Sequence, residues 1–318
     1  MALSDLQVFS EYAYSTFTEM LTYNIGLFNA ATRGAVVLQA GAHQGDYSDT
    51  AIWAKISGLV RRRDAYGSGA VSEKVLTQLL DTSVKVAAGI APVRLDPSMM
   101  KWIQRSPEEA GAVVGKQMAM DSMADMLGTA LTSSIAALTA QAANLHDGTA
   151  AIASLGVLNT ARAKLGDRAE GIACWIMHSK VVFDIYGAAL TNANVLFSFG
   201  NLRVTHDGFG NPFVVSDAPA LSYVSTGTKY HTLGLVPGAV VVDQNNDFVD
   251  NIQTINGAEN IKRTYQAEWS YNVGVKGFQW DKTNGGKSPS DAALATSTNW
   301  DKYATSFKDL CGVMLNSQ

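Results

Sequence analysis

Ser106-Pro107-Glu108-Glu109 opens, and Asn144-Leu145-His146-Asp147-Gly148 closes, the segment whose reading decides the architecture of this chain. The opening has the form of a capping box. Ser106 can accept from the backbone N–H of Glu109, Glu109 can return to the N–H of Ser106, and Pro107 brings its fixed φ to the first helical position. Between the two ends Val113, Met120, Met123, Leu127, Leu131, Ile135, Leu138, Ala142 and Leu145 recur at helical spacing, and Gly148 supplies a left-handed stop. Uninterrupted, the segment is a rod of about 58 Å, far longer than the usual three to four turns. Residues 126–145 carry no charge, yet Thr129, Thr132, Ser133, Ser134, Thr139, Gln141 and Asn144 make the stretch too polar to prefer lipid. Its second face is rich in Ala, Ser, Thr and Gly. That texture suits either close packing by another protein surface or the centre of a large monomeric core.

Working outward, residues 4–30 form an amphipathic helical arm with a second capping box at Ser4-Asp5-Leu6-Gln7 and apolar residues at Leu6, Phe9, Ala13, Phe17, Met20 and Leu21. Gly34 ends it. Ala35 to Leu95 changes texture: Ala35–Leu38 and Val71–Val86 read as extended, and between them lie scattered glycines and the basic run Arg61-Arg62-Arg63-Asp64. A long two-stranded excursion cannot bury much against itself and asks for a partner surface. After the long helix the expectations are a helix over Thr149–Leu165, a buried strand at Ile172–Met177, a helix from Ser179 to Leu190, and strands at Arg203–His206, Phe213–Ser216 and Tyr230–Asp243, with a hairpin turn at Asp207-Gly208 and a break at Pro237-Gly238. A long strand from Asn260 to Asp281, a loop at Gly285–Pro289, a short helix at Ser290–Leu294 and a last strand at Lys308–Leu315 complete an α+β chain.

The 318 residues allow two ordinary domains or one with large excursions, and the net charge of −4 gives no electrostatic reason to expect nucleic-acid binding. Charged residues are 16% of the chain, against about 25% in a typical soluble domain, so much of the surface is expected to face protein rather than water. Cys174 and Cys311 stand far apart, and Cys174 in its apolar run reads as a buried thiol. No secretory signal opens the sequence.

Catalytic motifs fail one by one. Gly285-Gly286-Lys287-Ser288 has Asp281 where a phosphate loop needs its first glycine. Asp243, Asn245 and Asp247 have the opening spacing of a calcium loop, but Phe248 and Thr254 stand where the glycine and the bidentate acid belong. The five histidines never approach ligand spacing.

The order of parts resembles the major capsid proteins of tailed phages, whose fold is named after the Hong Kong 97 phage and is shared by encapsulins. Asn211-Pro212-Phe213-Val214-Val215-Ser216-Asp217-Ala218-Pro219 is similar to an axial-domain segment of that family. Gly277-Phe278-Gln279-Trp280-Asp281, Ser288–Leu294 and Asn299-Trp300 are similar to the C-terminal region of one subgroup. The resemblance implies an N-terminal arm (1–33), an extended loop (34–95), a peripheral domain with a spine helix (96–148), an axial domain (149–253), a returning peripheral strand (254–281) and a C-terminal segment (282–318). It implies a shell subunit, not an enzyme, with no cofactor, that self-associates as hexamers and pentamers around a double-stranded DNA genome, assembled in the host cytoplasm. A separate scaffolding protein, a portal and a decoration protein are its implied partners, and a membrane is not. Phe9, Phe17, Met20 and Phe28 of the arm and Arg61, Arg62 and Arg63 of the loop are the candidate inter-subunit contacts. An encapsulin-like compartment and a monomeric enzyme with a nonlocal site are the alternatives.

Overall fold

The structure is a computed structural model, and it describes residues 3–41, 43, 45–56, 58–95, 97–186, 195–199, 202–206, 211–257, 259 and 261–318. Helix α1 (Leu3–Ala31) ends where Arg33 and Gly34 take positive φ, and strand β1 (Val36–Ala40) follows. Strands β2 (Tyr47–Trp53) and β3 (Gln78–Gly89) pair as an antiparallel hairpin whose connection, residues 54–77, holds no regular element among the described residues. The strand expected from Val71 therefore starts at Gln78. Strand β4 (Val93–Leu95) and helix α2 (Pro97–Arg105) lead into helix α3 (Pro107–Thr139).

Helix α3 is the expected rod, shortened at its end. Its first turn has Pro107 in place, but Ser106 makes no side-chain cap: the Ser106 N–H already donates to the Trp102 carbonyl at 2.9 Å, closing α2, so nothing is left for Glu109 to return to. The far end stops at Ala140. Asn144 pulls the chain away by donating to the Gly312 carbonyl at 2.7 Å and that of Phe307 at 3.0 Å. Leu145–Gly148, expected as the last turn, is instead strand β5, parallel to the C-terminus. Gly148 allows this close approach, since a Cβ there would lie 2.9 Å from the Asn316 carbonyl oxygen. Along α3 the stripe Met123, Leu127, Leu131 and Leu138 is buried as expected, whereas Val113 is exposed.

Beyond β5 come helix α4 (Leu155–Ala163), strand β6 (Cys174–Met177), helix α5 (Ser179–Tyr186), and strands β7 (Val195–Phe199), β8 (Leu202–His206), β9 (Pro212–Ser216), β10 (Ser222–Ser225), β11 (Gly227–Leu235), β12 (Val240–Gln244), β13 (Val249–Ile255), β14 (Lys262–Val275) and β15 (Phe278–Trp280). Helix α6 (Asp291–Leu294), capped by Ser290, and strands β16 (Trp300–Lys302) and β17 (Gly312–Ser317) finish the chain. The helix expected from Thr149 starts only at Leu155, where Ser154 caps it. The turn at Asp207-Gly208 and the end of the helix expected at Leu190 lie outside the described residues.

Two sheets result. In the first, β14 is the centre: it pairs with β12, β13, β15, β3 and β4, and β12 in turn pairs parallel with β1. Tyr265, Ala267, Trp269, Tyr271, Val273 and Val275 of β14 alternate onto the buried face, the period of two expected of a strand with one side in a core. The second sheet runs β5-β17-β11-β6-β9-β8-β7, with β10 on β11. The chain leaves it after Leu235, so β12 and β13, expected in the axial unit, belong to the first sheet. One continuous core of buried residues runs from α1 through α3 into both sheets.

Candidate assembly surfaces

Helix α1 is not a free arm. Phe9, Phe17 and Phe28 are 1%, 1% and 0% exposed, inside the chain's own core, and Met20 packs half-buried against it. Phe9 stands edge-on to Tyr265 at 5.6 Å, and Phe17 meets Phe248 and Trp269 at 5.2 and 5.6 Å. Ser10 donates to Asp250 at 2.5 Å, joining the helix to β13. These aromatic side chains therefore have no surface left for a neighbour, and the expectation that they pack between subunits is corrected. The physical reason lies on α3: at Gly111 and Gly115 a Cβ would fall 2.5 Å from the Phe9 carbonyl oxygen and 2.3 Å from that of Ala13. Two glycines four residues apart clear a groove in which the backbone of α1 rests directly on α3. The small-residue face was legible in the sequence. What packs on it is the chain's own first helix.

The hairpin is the opposite case. Among the described residues between Trp53 and Leu80, eight large hydrophobic side chains are exposed, with Val60 at 95% and Tyr66 at 100%. Scattered exposed hydrophobic residues need no explanation, but this many within one excursion are the kind of concentration that marks an interaction surface. Arg61, Arg62 and Arg63 are exposed and make no ion pair among the described residues.

Charged contacts hold the foot of this hairpin on the C-terminal segment. Lys282 donates to Asp49 at 2.6 Å and stands over the Tyr47 ring at 5.2 Å; Lys287 pairs with Asp46 at 2.9 Å and Lys55 with Asp309 at 3.8 Å. The hydrogen bonds from Lys282 and then Thr82 hold the Asp49 carboxyl below the usual carboxylate range. No motif announced this network, because its members are more than two hundred residues apart.

A groove of about 850 Å³ lies between the hairpin foot and the strands β12 and β14 of the same sheet, with Trp53, Lys55, Asp81, Arg168, Asp243 and Tyr303 on its walls. Its charges are largely engaged with one another. Arg168 pairs with Asp309, and burial pushes the Asp81 carboxyl up, against the lowering effect of the Tyr303 hydroxyl. The residues with the opening spacing of a calcium loop are likewise structural: Asn245 donates to Ser270 at 2.9 Å, and Asp247 accepts from the Ser270 N–H at 2.7 Å and pairs with Lys85 at 3.2 Å. Gly285-Gly286 is a cover for Trp280, whose indole N–H donates to the Gly286 carbonyl at 3.0 Å. Cys174 and Cys311 are free and buried, and burial pushes both thiols up to about 12. Among the described residues no three His, Cys, Asp or Glu side chains converge as metal ligands, and no helix is long and apolar enough to cross a membrane.

A family model described as Gp13-like, major capsid protein 13-like, matches residues 5–314. The chain belongs to this family of major capsid proteins. It is a structural subunit of the capsid shell of tailed phages. Among solved structures, the Cyanophage Pam1 capsid asymmetric unit is similar with a TM-score of 0.50 and 11% identity, over 86% of this chain and 85% of that one. A Microbacterium phage Oxtober96 chain (TM-score 0.48, 12% identity, 91% of each chain) and the capsid of Ralstonia phage GP4 (0.46, 11%, 89% of this chain and 86% of that one) are also similar. The Pam1 likeness concerns the fold alone. No curated protein sequence matches this capsid protein.

Proposed function

We propose that many copies of this capsid protein close an icosahedral head, built of hexamers and pentamers, around a double-stranded DNA genome, and that the subunit turns over no substrate. In this reading the first sheet with α1 to α3 is the peripheral domain of a Hong Kong 97-like fold and α3 its spine helix. The second sheet is the axial domain, and the β2/β3 excursion is the extended loop. Assembly proceeds in the host cytoplasm with a scaffolding protein, a portal and a decoration protein as further partners.

The observation that carries the reading is the hairpin. Its apolar side chains stand in water in the single subunit, and an interface that removed them at roughly 25 cal/mol per Å² would yield a large favourable term on each contact. A closed shell supplies such a contact to every copy, since each subunit's protrusion meets the same surface of the next. Particle mass tests this. Purified material should contain closed shells of many megadaltons; a single species of one subunit's mass at all concentrations would refute it.

A further inference from the structure

The first sheet ends in edge strands that the chain treats differently. Along β1 the outward backbone groups are already taken: the Asn29 side chain donates to the Leu38 carbonyl at 2.6 Å and accepts from the Leu38 N–H at 2.9 Å, and the Thr32 hydroxyl donates to the Val36 carbonyl at 3.2 Å. Side chains at the end of α1 thus stand where another strand would bind. Strand β13 has no such cover. It pairs with β14 in unbroken register from Val249↔Glu268 to Ile255↔Lys262, and among the described residues nothing pairs along its other side. The Ser270 carbonyl accepts from Asn245, just past β12, and the Ala267 carbonyl from Ile90, just past β3, so the even-numbered residues of β14 turn their backbone groups toward β12 and β13. Asp250, Ile252 and Thr254 therefore hold their own N–H and C=O groups toward the free edge. The strand carries neither Lys, Pro nor a bulge, devices that usually keep an exposed edge from pairing.

We infer that β13 of one copy pairs antiparallel with β13 of a second copy about a two-fold axis through Ile252, joining the first sheets of two subunits into one. The inference rests on the shell reading above, where it supplies the contact that joins one ring of subunits to the next. Val249-Asp250-Asn251-Ile252-Gln253-Thr254-Ile255 is chemically palindromic about its central residue. Paired with itself, it sets Val249 opposite Ile255, Asp250 opposite Thr254, Asn251 opposite Gln253 and Ile252 opposite its own copy: apolar on apolar, carboxylate on hydroxyl, amide on amide. A slip of two residues would set Asn251 against Ile255 and Ile252 against Thr254, losing these matches. In the matched register the free groups of Asp250, Ile252 and Thr254 bond reciprocally, about six bonds in all. Charge agrees. The β13/β14 ribbon is acidic at its Val249 end, with Asp250 and Glu268, and basic at its Ile255 end, with Lys262 and Arg263, so the antiparallel arrangement brings unlike ends together and a parallel one would match like with like. The two Asp250 residues lie about 14 Å apart across the axis, beyond the screening length of roughly 8–10 Å. Such a contact uses the same patch on both copies and closes on itself, so the edge collects no further strands.

Register-specific disulfides test the pairing. Copies carrying Asn251→Cys are mixed with copies carrying Gln253→Cys, assembled and mildly oxidised; the native Cys174 and Cys311 are buried and free. Cα atoms opposite each other in a non-hydrogen-bonded pair are about 4.5 Å apart, within disulfide reach, whereas two copies of either single variant hold their cysteines beyond ~7 Å. The expected result is a covalent dimer from the mixture and at least tenfold less from either variant alone. Absence of the dimer from assembled mixtures, equal dimer from a single variant, or an adduct with any other protein in its place overturns the pairing. Thr254→Pro is the second arm, since it removes an edge N–H and no bond to β14. It should leave the melt of the free subunit like wild type and lower the yield of closed shells at least tenfold, with rings of five or six subunits accumulating; closed shells at wild-type yield overturn the inference. If the unaltered chain forms no particles but the cysteine mixture still gives the dimer, the shell reading fails and the strand pair stands. Neither particles nor dimer refutes both.

Discussion

Gly115→Ala is a substitution whose sign reports where helix α1 sits. In the interior of a helix, Ala is favoured over Gly by about 0.8–1 kcal/mol, so an α3 with nothing against it would be stabilised by that amount. With α1 seated, the new Cβ would lie 2.3 Å from the Ala13 carbonyl oxygen and 3.1 Å from Thr16 Cβ. The nearest obstacle is backbone, which cannot rotate away, so the helices must part by roughly 1 Å at this crossing. Overpacking of this kind costs about 1–3 kcal/mol. Parting the helices also loosens the packing of Phe9 and Phe17, both fully buried. The expected net effect is a destabilisation of ~1–2 kcal/mol. At about 2 cal/mol/K of unfolding entropy per residue, that lowers the Tm of the unassembled subunit by roughly 2–3 °C. Gly128→Ala is the internal control: it lies in the same helix, its Cβ would meet nothing within 4 Å, and it should raise Tm by about 1 °C through propensity alone. The assay is a pair of thermal or urea melts on subunits kept unassembled. If Gly115→Ala stabilises as Gly128→Ala does, α1 does not rest on α3 in the free subunit, and the internal placement of the arm is refuted.

Leu127→Asp, which sets a carboxylate among buried residues of α3, should cost several kcal/mol and abolish soluble subunit; wild-type yield would show that the helix register is wrong. Deleting residues 1–31 removes Phe9, Phe17, Leu21 and Phe28 from the core, where each such truncation costs about 3 kcal/mol or more, so no cooperatively unfolding subunit should be recovered. Lys282→Ala should change Tm by less than ~1 °C, because the ion pair is exposed, but should speed amide exchange in β2. Asp49 has a folded-state pKa below its unfolded value near 3.8, so its contribution is present above that value and is lost as pH falls through the folded value; exchange in β2 of the unaltered protein should rise in that same window. Asp81 has the opposite sign: burial raises its pKa, so its charge opposes folding at neutral pH, and Asp81→Asn should raise Tm at pH 7 and lose that advantage as the wild-type carboxyl is protonated.

The parts of the fold that were legible in sequence are those set by local chemistry. The rod of α3 followed from its apolar stripe, β14 from the long strand-like run expected over Asn260–Asp281, although a turn at Lys276-Gly277 divides it from β15, and the breaks at Gly34 and Gly238 from residues that tolerate positive φ. The failures came where a distant contact outbid the local pattern. Leu145–Gly148 continues a helical stripe, yet it pairs with Met314–Ser317, nearly 170 residues on, because Asn144 is held by the Gly312 carbonyl. Ser106 looks like a cap, but α2 had already taken its N–H. The arm was misjudged for a related reason: an aromatic face shows that something will cover it, not which chain does so. Gly111 and Gly115 held that information, since glycines at i and i+4 inside a helix cost stability and call for a close neighbour. The foot of the hairpin was invisible, because ion pairs leave no periodic trace.

Placing α1 inside the subunit shifts the burden of assembly onto the hairpin, and this separates two properties that an external arm would have mixed. An antiparallel pair of seven-residue strands is marginal by itself, and the register of β2 with β3 continues into the first sheet only through β3, from Val84 to Gly89 against β14. The excursion beyond the foot therefore adds little to the stability of the free subunit and withdraws little when it is altered. Changes within residues 54–77 should alter particles while leaving the melt of the subunit unmoved, whereas changes at Gly111, Gly115 or the buried aromatics of α1 should alter both together. Selection can then tune how copies meet without endangering how each one folds.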